Sequence, residues 1–230
     1  MRRLLPLAAL LLLLGAAPAA ATFAPGKNGK IVYDRNSPQE DVFAIDGGGG
    51  EGLNLSNNSP SVGSFAPSIS PDGRTVIFSR DEGLVTDIVA QPLAGGPPDN
   101  LTRTPGDIHE FNGSYSPDGR MIVYLRFDPG GQALWVMNAD GSGQRLLADD
   151  AFNGLGNPSF SPDGRMVLYS QYDGVSQTDL FVINLDGSNP RNVTNTGGNV
   201  SEFEASFTPD GLRVVSGVYD GSNCEVYIRN

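Results

Sequence analysis

The sequence predicts an all-β protein, a β-propeller of about five four-stranded antiparallel blades. Three observations carry that expectation. A near-identical pentapeptide recurs as Ser70-Pro71-Asp72-Gly73-Arg74, Ser116-Pro117-Asp118-Gly119-Arg120, Ser161-Pro162-Asp163-Gly164-Arg165 and Thr208-Pro209-Asp210-Gly211-Leu212. Its aspartates stand 46, 45 and 47 residues apart (118 − 72, 163 − 118, 210 − 163), the period of a blade. Between the copies lie β-branched and aromatic runs too short for helices, broken by Gly, Pro, Asn and Asp.

Residues 1–21 read as a secretory leader. Arg2 and Arg3 form a positive start, Leu4 to Leu14 an apolar run, and Ala19-Ala20-Ala21 a cleavage site. The apolar run is short for a bilayer span, so no stable membrane insertion is expected after cleavage. The propeller is then expected over residues 22–230, with repeats at approximately 25–70, 71–116, 117–161, 162–208 and a partial 209–230.

Each repeat reads as four strands. The first follows the Asp-Gly turn, as in Thr75-Val76-Ile77-Phe78, Met121-Ile122-Val123-Tyr124 and Met166-Val167-Leu168-Tyr169; Ile31-Val32-Tyr33 is an earlier copy. The second begins at Asp41, Asp87, Ala133, Asp179 and Glu225, each time with two apolar residues next. Asp46-Gly47, Asp140-Gly141 and Asp186-Gly187 then make hairpin turns. The third strand contains Asn54-Leu55-Ser56, Asn100-Leu101-Thr102, Leu146-Leu147 and Asn192-Val193-Thr194. The fourth is rich in small residues (Pro67-Ser68-Ile69, Gly113-Ser114-Tyr115, Pro158-Ser159-Phe160, Ala205-Ser206-Phe207) and is expected innermost, where strands crowd at the axis.

The pentapeptide has a mechanical explanation. Proline presets the first corner of a type I turn, aspartate bonds to nearby backbone, and glycine takes the positive φ that follows. Together, the pentapeptide, the apolar run, the aspartate-led strand and the Asn-Leu-Thr segment resemble the WD40-like (PD40) repeat of TolB-type propellers. The resemblance covers residues 25–230. Proteins of the TolB type carry an α/β domain before a six-bladed propeller. Here only a few residues separate the leader from the first repeat, and residues 22–230 are too few for six such blades. Two arrangements therefore stay open: a closed five-blade ring with one thin blade, or an open, incomplete six-blade arc. Open blade edges would favour a homodimer.

Charge and composition narrow the function. The formal net charge of −11 becomes −13 once Arg2 and Arg3 leave with the leader, which disfavours nucleic acid as a partner. Cys224 is the single cysteine, so no intrachain disulfide can form. No Gly-x-Ser-x-Gly motif occurs and His109 is the single histidine, so the usual hydrolase sets and zinc sets are missing. Asn138 to Gly143 and Asn184 to Asn189 partly resemble calcium loops, but they lack the closing glutamate and sit where a hairpin turn is needed.

Propellers bind at the axial mouth. Counting back from the pentapeptides places Ala66, Asn112, Asn157 and Glu204 at one equivalent position there, and Ser64, Glu110, Leu155 and Glu202 at another. His109, Asp81, Asp128, Tyr172 and Tyr219 complete the expected mouth. This acidic and aromatic mixture suits a protein or peptide partner in the bacterial cell envelope, the periplasm or outside the cell, without a cofactor. The alternatives are a five-bladed glycosidase-like enzyme with paired carboxylates at the axis, and a calcium- or glycan-binding module.

Overall fold

In the computed structural model the described residues are 29–36, 40–58, 61–150, 154–198 and 200–230. The expected leader (1–21) and the start of the first expected repeat (25–28) lie outside them. The chain forms five antiparallel sheets and no helix among the described residues.

The first sheet holds β1 (Lys30–Asn36), β2 (Glu40–Asp46) and β3 (Leu53–Asn54). Three four-stranded sheets follow. The second is β4 (Gly63–Ile69), β5 (Thr75–Asp81), β6 (Thr86–Pro92) and β7 (Asp99–Asn100). The third is β8 (His109–Tyr115), β9 (Met121–Asp128), β10 (Gly131–Asn138) and β11 (Arg145–Asp150). The fourth is β12 (Leu155–Phe160), β13 (Met166–Tyr172), β14 (Thr178–Asn184) and β15 (Arg191–Asn192). The fifth holds β16 (Ser201–Phe207), β17 (Val214–Tyr219) and β18 (Cys224–Arg229). The three middle sheets have the four strands expected; the first and last show three among the described residues, the last repeat having been expected as partial.

The strands rich in small residues, β4, β8, β12 and β16, are innermost, as expected. Hydrogen bonds cross directly between them: Tyr115 N donates to Ser68 Oγ (3.4 Å) and Ser159 Oγ to the Ala205 carbonyl (3.4 Å). Backbones this close leave room only for small side chains. At Gly113 an added Cβ would lie 3.2 Å from Ile77 Cδ1.

Alternation along each strand sends successive side chains to opposite neighbours. Val42, Ala44 and Leu55 meet Val76, Phe78 and Val89 between the first two blades. Ile77, Ile88 and Leu101 meet Ile122, Tyr124 and Met137 at the next interface. Val123, Leu125, Leu134 and Val136 pack on Val167 and Tyr169, and Leu168, Leu180 and Val182 pack on Ala205. The last blade has no such mate among the described residues. Val42, Ile88, Leu134 and Leu180 occupy the same repeat position and are each 0% exposed, whereas Val226 there is 76% exposed.

The pentapeptide is a turn in atomic detail. Ser70 Oγ donates to Asp72 Oδ1 (2.6 Å), the Arg74 and Thr75 amides bond Asp72 Oδ1 (3.0 Å) and Ser70 Oγ (3.0 Å), and Gly73 sits at φ +69°. The same bonds recur around Asp118, Asp163 and Asp210. A second repeated device ties the short outer strand to the blade. Asp87 accepts from Asn100 Nδ2 (2.9 Å) and Thr102 Oγ1 (2.8 Å), and Thr102 Oγ1 accepts from the Ile88 amide (3.1 Å). Asp41 with Asn54 and Ser56, and Asp179 with Asn192 and Thr194, repeat it.

Candidate functional site

Each inner strand carries a β-bulge at its midpoint. In β4 the register slips between Phe65, opposite Ser79, and Ser68, opposite Ile77, so Ala66 and Pro67 share one partner position. The slips between Phe111 and Ser114, Gly156 and Ser159, and Phe203 and Ser206 repeat it. Proline fits because a bulge residue need not donate to the ladder.

The first bulge residue is left-handed in all four strands: φ is +50° at Ala66, +56° at Asn112, +43° at Asn157 and +49° at Glu204. Glycine would take this conformation without strain, yet none of the four is glycine. These residues line one axial cavity of about 350 Å³, with Ser68, Ser114 and Ser159 beside them. Asn112 Nδ2 donates to Asn157 Oδ1 at 3.3 Å, joining neighbouring blades at the axis. The wall thus offers two amides, hydroxyls and one carboxylate, Glu204.

Of the thirteen residues placed at the mouth by counting, four line this cavity: Ala66, Asn112, Asn157 and Glu204. Glu110 and Glu202 require correction as surface contacts, because both are 0% exposed. Thr104 Oγ1 donates to both Glu110 oxygens (2.7 and 2.6 Å), with Arg126 Nε 3.7 Å away. Glu202 pairs with Arg229 Nη2 at 2.8 Å. Burial pushes both carboxyls above their ordinary value, offset in part by the threonine hydroxyls and arginines. Ser64 and Leu155 share the position and are buried too. Loss of water there was legible from Leu155.

His109 packs between blades, its Nδ1 3.4 Å from Thr86 Oγ1. Asp81 and Asp128 end their strands and accept from the Gly83 and Gly130 amides (2.7 Å each), closing turns. Tyr172 and Tyr219 end β13 and β17, with Tyr219 42% exposed. The Asp186 loop is a turn as well: Asp186 Oδ1 accepts from the Ser188 amide (2.9 Å) and hydroxyl (2.6 Å). Among the described residues no three His, Cys, Asp or Glu side chains converge as metal ligands, and no helix is long and apolar enough to cross a membrane. Sequence reasoning missed the bulge; its trace is the Ala-Pro, Asn-Gly, Asn-Pro or Glu-Ala pair before each inner serine.

The family model of the PD40 TolB β-propeller domain matches residues 14–206. This chain belongs to that family. Among solved structures it is similar to TolB from Acinetobacter baumannii, at 20% identity and TM-score 0.75, covering 91% of this chain and 52% of that one. It is similar to the structure assigned as TolB from Agrobacterium tumefaciens, at 24% identity and TM-score 0.64, covering 87% and 69%. Oligogalacturonate lyase from Vibrio parahaemolyticus aligns at 15% identity and TM-score 0.65, covering 87% and 59%. The chain thus spans about half the length of the Acinetobacter protein, and all three likenesses concern the fold. A comparison with curated proteins finds no match.

Proposed function

We propose that this chain is an exported, non-enzymatic interaction module that holds a protein or peptide partner at its axial cavity. One observation carries the reading. Four equivalent non-glycine residues are held in left-handed backbone and placed around a single opening of about 350 Å³. Strain kept at a cavity wall, where glycine would remove it, is the mark of a position retained for its side chain.

The chemistry of the wall favours binding over turnover. A glycosidase needs two carboxylates about 5–10 Å apart; this wall carries Glu204 with the amides of Asn112 and Asn157. Amides and hydroxyls suit the peptide backbone of a partner. Export rests on the Arg2-Arg3 start and the apolar run to Leu14.

Capture from envelope extract tests the reading, with immobilised residues 22–230 and an Asn112→Gly/Asn157→Gly/Glu204→Gly variant compared side by side. Glycine is chosen because it keeps the left-handed backbone while removing the side chains. Proteins retained by the wild type and lost from the variant support the axial cavity. An identical set from both removes it.

A further inference from the structure

The third blade departs from the others in one coordinated way. Blades one, two and four fasten the short outer strand with an Asp, an Asn and a Ser or Thr, as in Asp87, Asn100 and Thr102. Strand pairing identifies the third blade's equivalents. Val89 faces Asn100 as Trp135 faces Leu146, so Leu146 stands in place of the Asn. Ala133 stands in the second strand in place of the Asp, and Ala148 replaces the Ser or Thr. All three polar groups are lost together.

The outer strand compensates through its backbone. β11 runs six residues, against two for β3, β7 and β15, and pairs as far as Gln132 with Asp150. A lateral cavity of about 440 Å³ opens beside this strand pair, walled by Gln132, Ala133, Trp135 and Leu146 and rimmed by Asp128 and Asp149. Leu146 is 48% exposed among the described residues, which leaves much of an apolar side chain in water. The Arg126 guanidinium takes one face of Trp135, 4.6 Å from its ring centroid, and Arg126 does not line the cavity, which meets the part of the indole that Arg126 leaves free.

We propose that this cavity is a binding site for an organic cation, an ammonium or guanidinium group on an apolar stem. The stem would cover Ala133 and Leu146, the indole would face the cation, and the two aspartates would supply the opposite charge. The site lies on the flank of the third blade, apart from the axis, and does not depend on the axial reading. A free organic cation and an arginine or lysine side chain of a partner share this chemistry.

Trp135 is the single tryptophan of the chain and lines this cavity, so its fluorescence reports binding there. Residues 22–230 are titrated with butylguanidinium, with acetyl-Gly-Arg-Gly-amide, and with butylurea, the neutral isostere of butylguanidinium. The proposal expects a saturable change with at least one cation, the tighter of the two naming the source, and a response to butylurea weaker by about tenfold or more. Ala133→Asp/Leu146→Asn/Ala148→Thr rebuilds the fastening of the other blades and should abolish the change. Asp149→Asn, at an exposed position, should weaken the cation by several-fold and leave butylurea unaffected. Equal responses to butylurea and the cations, no saturation by either cation, or unchanged titrations in both variants would overturn the site.

Discussion

The repeat contains its own control experiment. Leu180 and Val226 hold the same position in successive blades, the first 0% exposed and the second 76% exposed. Leu180→Ala removes a side chain packed with Leu168, Val182 and Ala205, and leaves a cavity between the fourth and fifth blades. Loss of the buried methyl groups and the cavity term together cost about 2–5 kcal/mol. Val226→Ala removes apolar surface that already touches water, so its cost should stay within about 0.5 kcal/mol. Urea unfolding of residues 22–230 at low protein concentration, followed by far-ultraviolet circular dichroism, reads both. Equal costs for the two substitutions would refute the reasoning, because they would mean that the last face is covered in solution. A Val226→Ala cost that grows with protein concentration would identify a second copy as the cover.

Three further outcomes follow from the same interactions. Arg229→Ala strips the fully buried Glu202 of its 2.8 Å partner and should cost about 3 kcal/mol in urea unfolding, with Glu202→Gln/Arg229→Ala recovering part of it. Glu110 and Glu202 have folded pKa values raised above 4.5, so their contribution to stability is largest at low pH and declines as pH rises from 4.5 through the raised values. The turn carboxylates Asp72, Asp118, Asp163 and Asp210 are held below 3.8 by the hydroxyl of the Ser or Thr two residues earlier, and their stabilisation is lost as pH falls through that lowered range. Unfolding midpoints measured from pH 3 to 8 should therefore fall toward both ends, and Glu110→Gln/Glu202→Gln should flatten the rise-side loss alone. Ala66→Gly relieves a left-handed alanine at φ +50° and should raise stability by about 0.5 kcal/mol, after roughly 0.4–1 kcal/mol is lost to the freer unfolded chain.

The architecture was legible because each of its signals is local. Ser70 to Arg74 makes its turn with its own atoms, and the strand after Asp87 is apolar on both sides because blades cover both of its faces. The axial ring was legible in part, since counting from the pentapeptide put Asn112, Asn157 and Glu204 at one position. Glu110 and Glu202 were placed two residues earlier on the same count. Alternation alone would put both positions on one face; the left-handed bulge at Asn112 and Glu204 separates them, and Glu110 and Glu202 stay buried, where Leu155 and Ser64 already marked a dry wall. The bulge was not legible, because Asn-Gly and Asn-Pro pairs serve equally in ordinary turns. Ala133 was visible as an exception to the aspartate rule. Its pairing with Leu146 and Ala148 needs the strand register, which no linear spacing supplies.

The claim that the axial ring binds a peptide is tested most directly by calorimetry. Peptides selected from a random display library on residues 22–230 are titrated into the wild type and into Asn112→Gly/Asn157→Gly/Glu204→Gly. The account predicts saturable binding to the wild type and at least a tenfold weaker constant, about 1.4 kcal/mol, for the variant, which still unfolds cooperatively. Equal affinity for both proteins would contradict it.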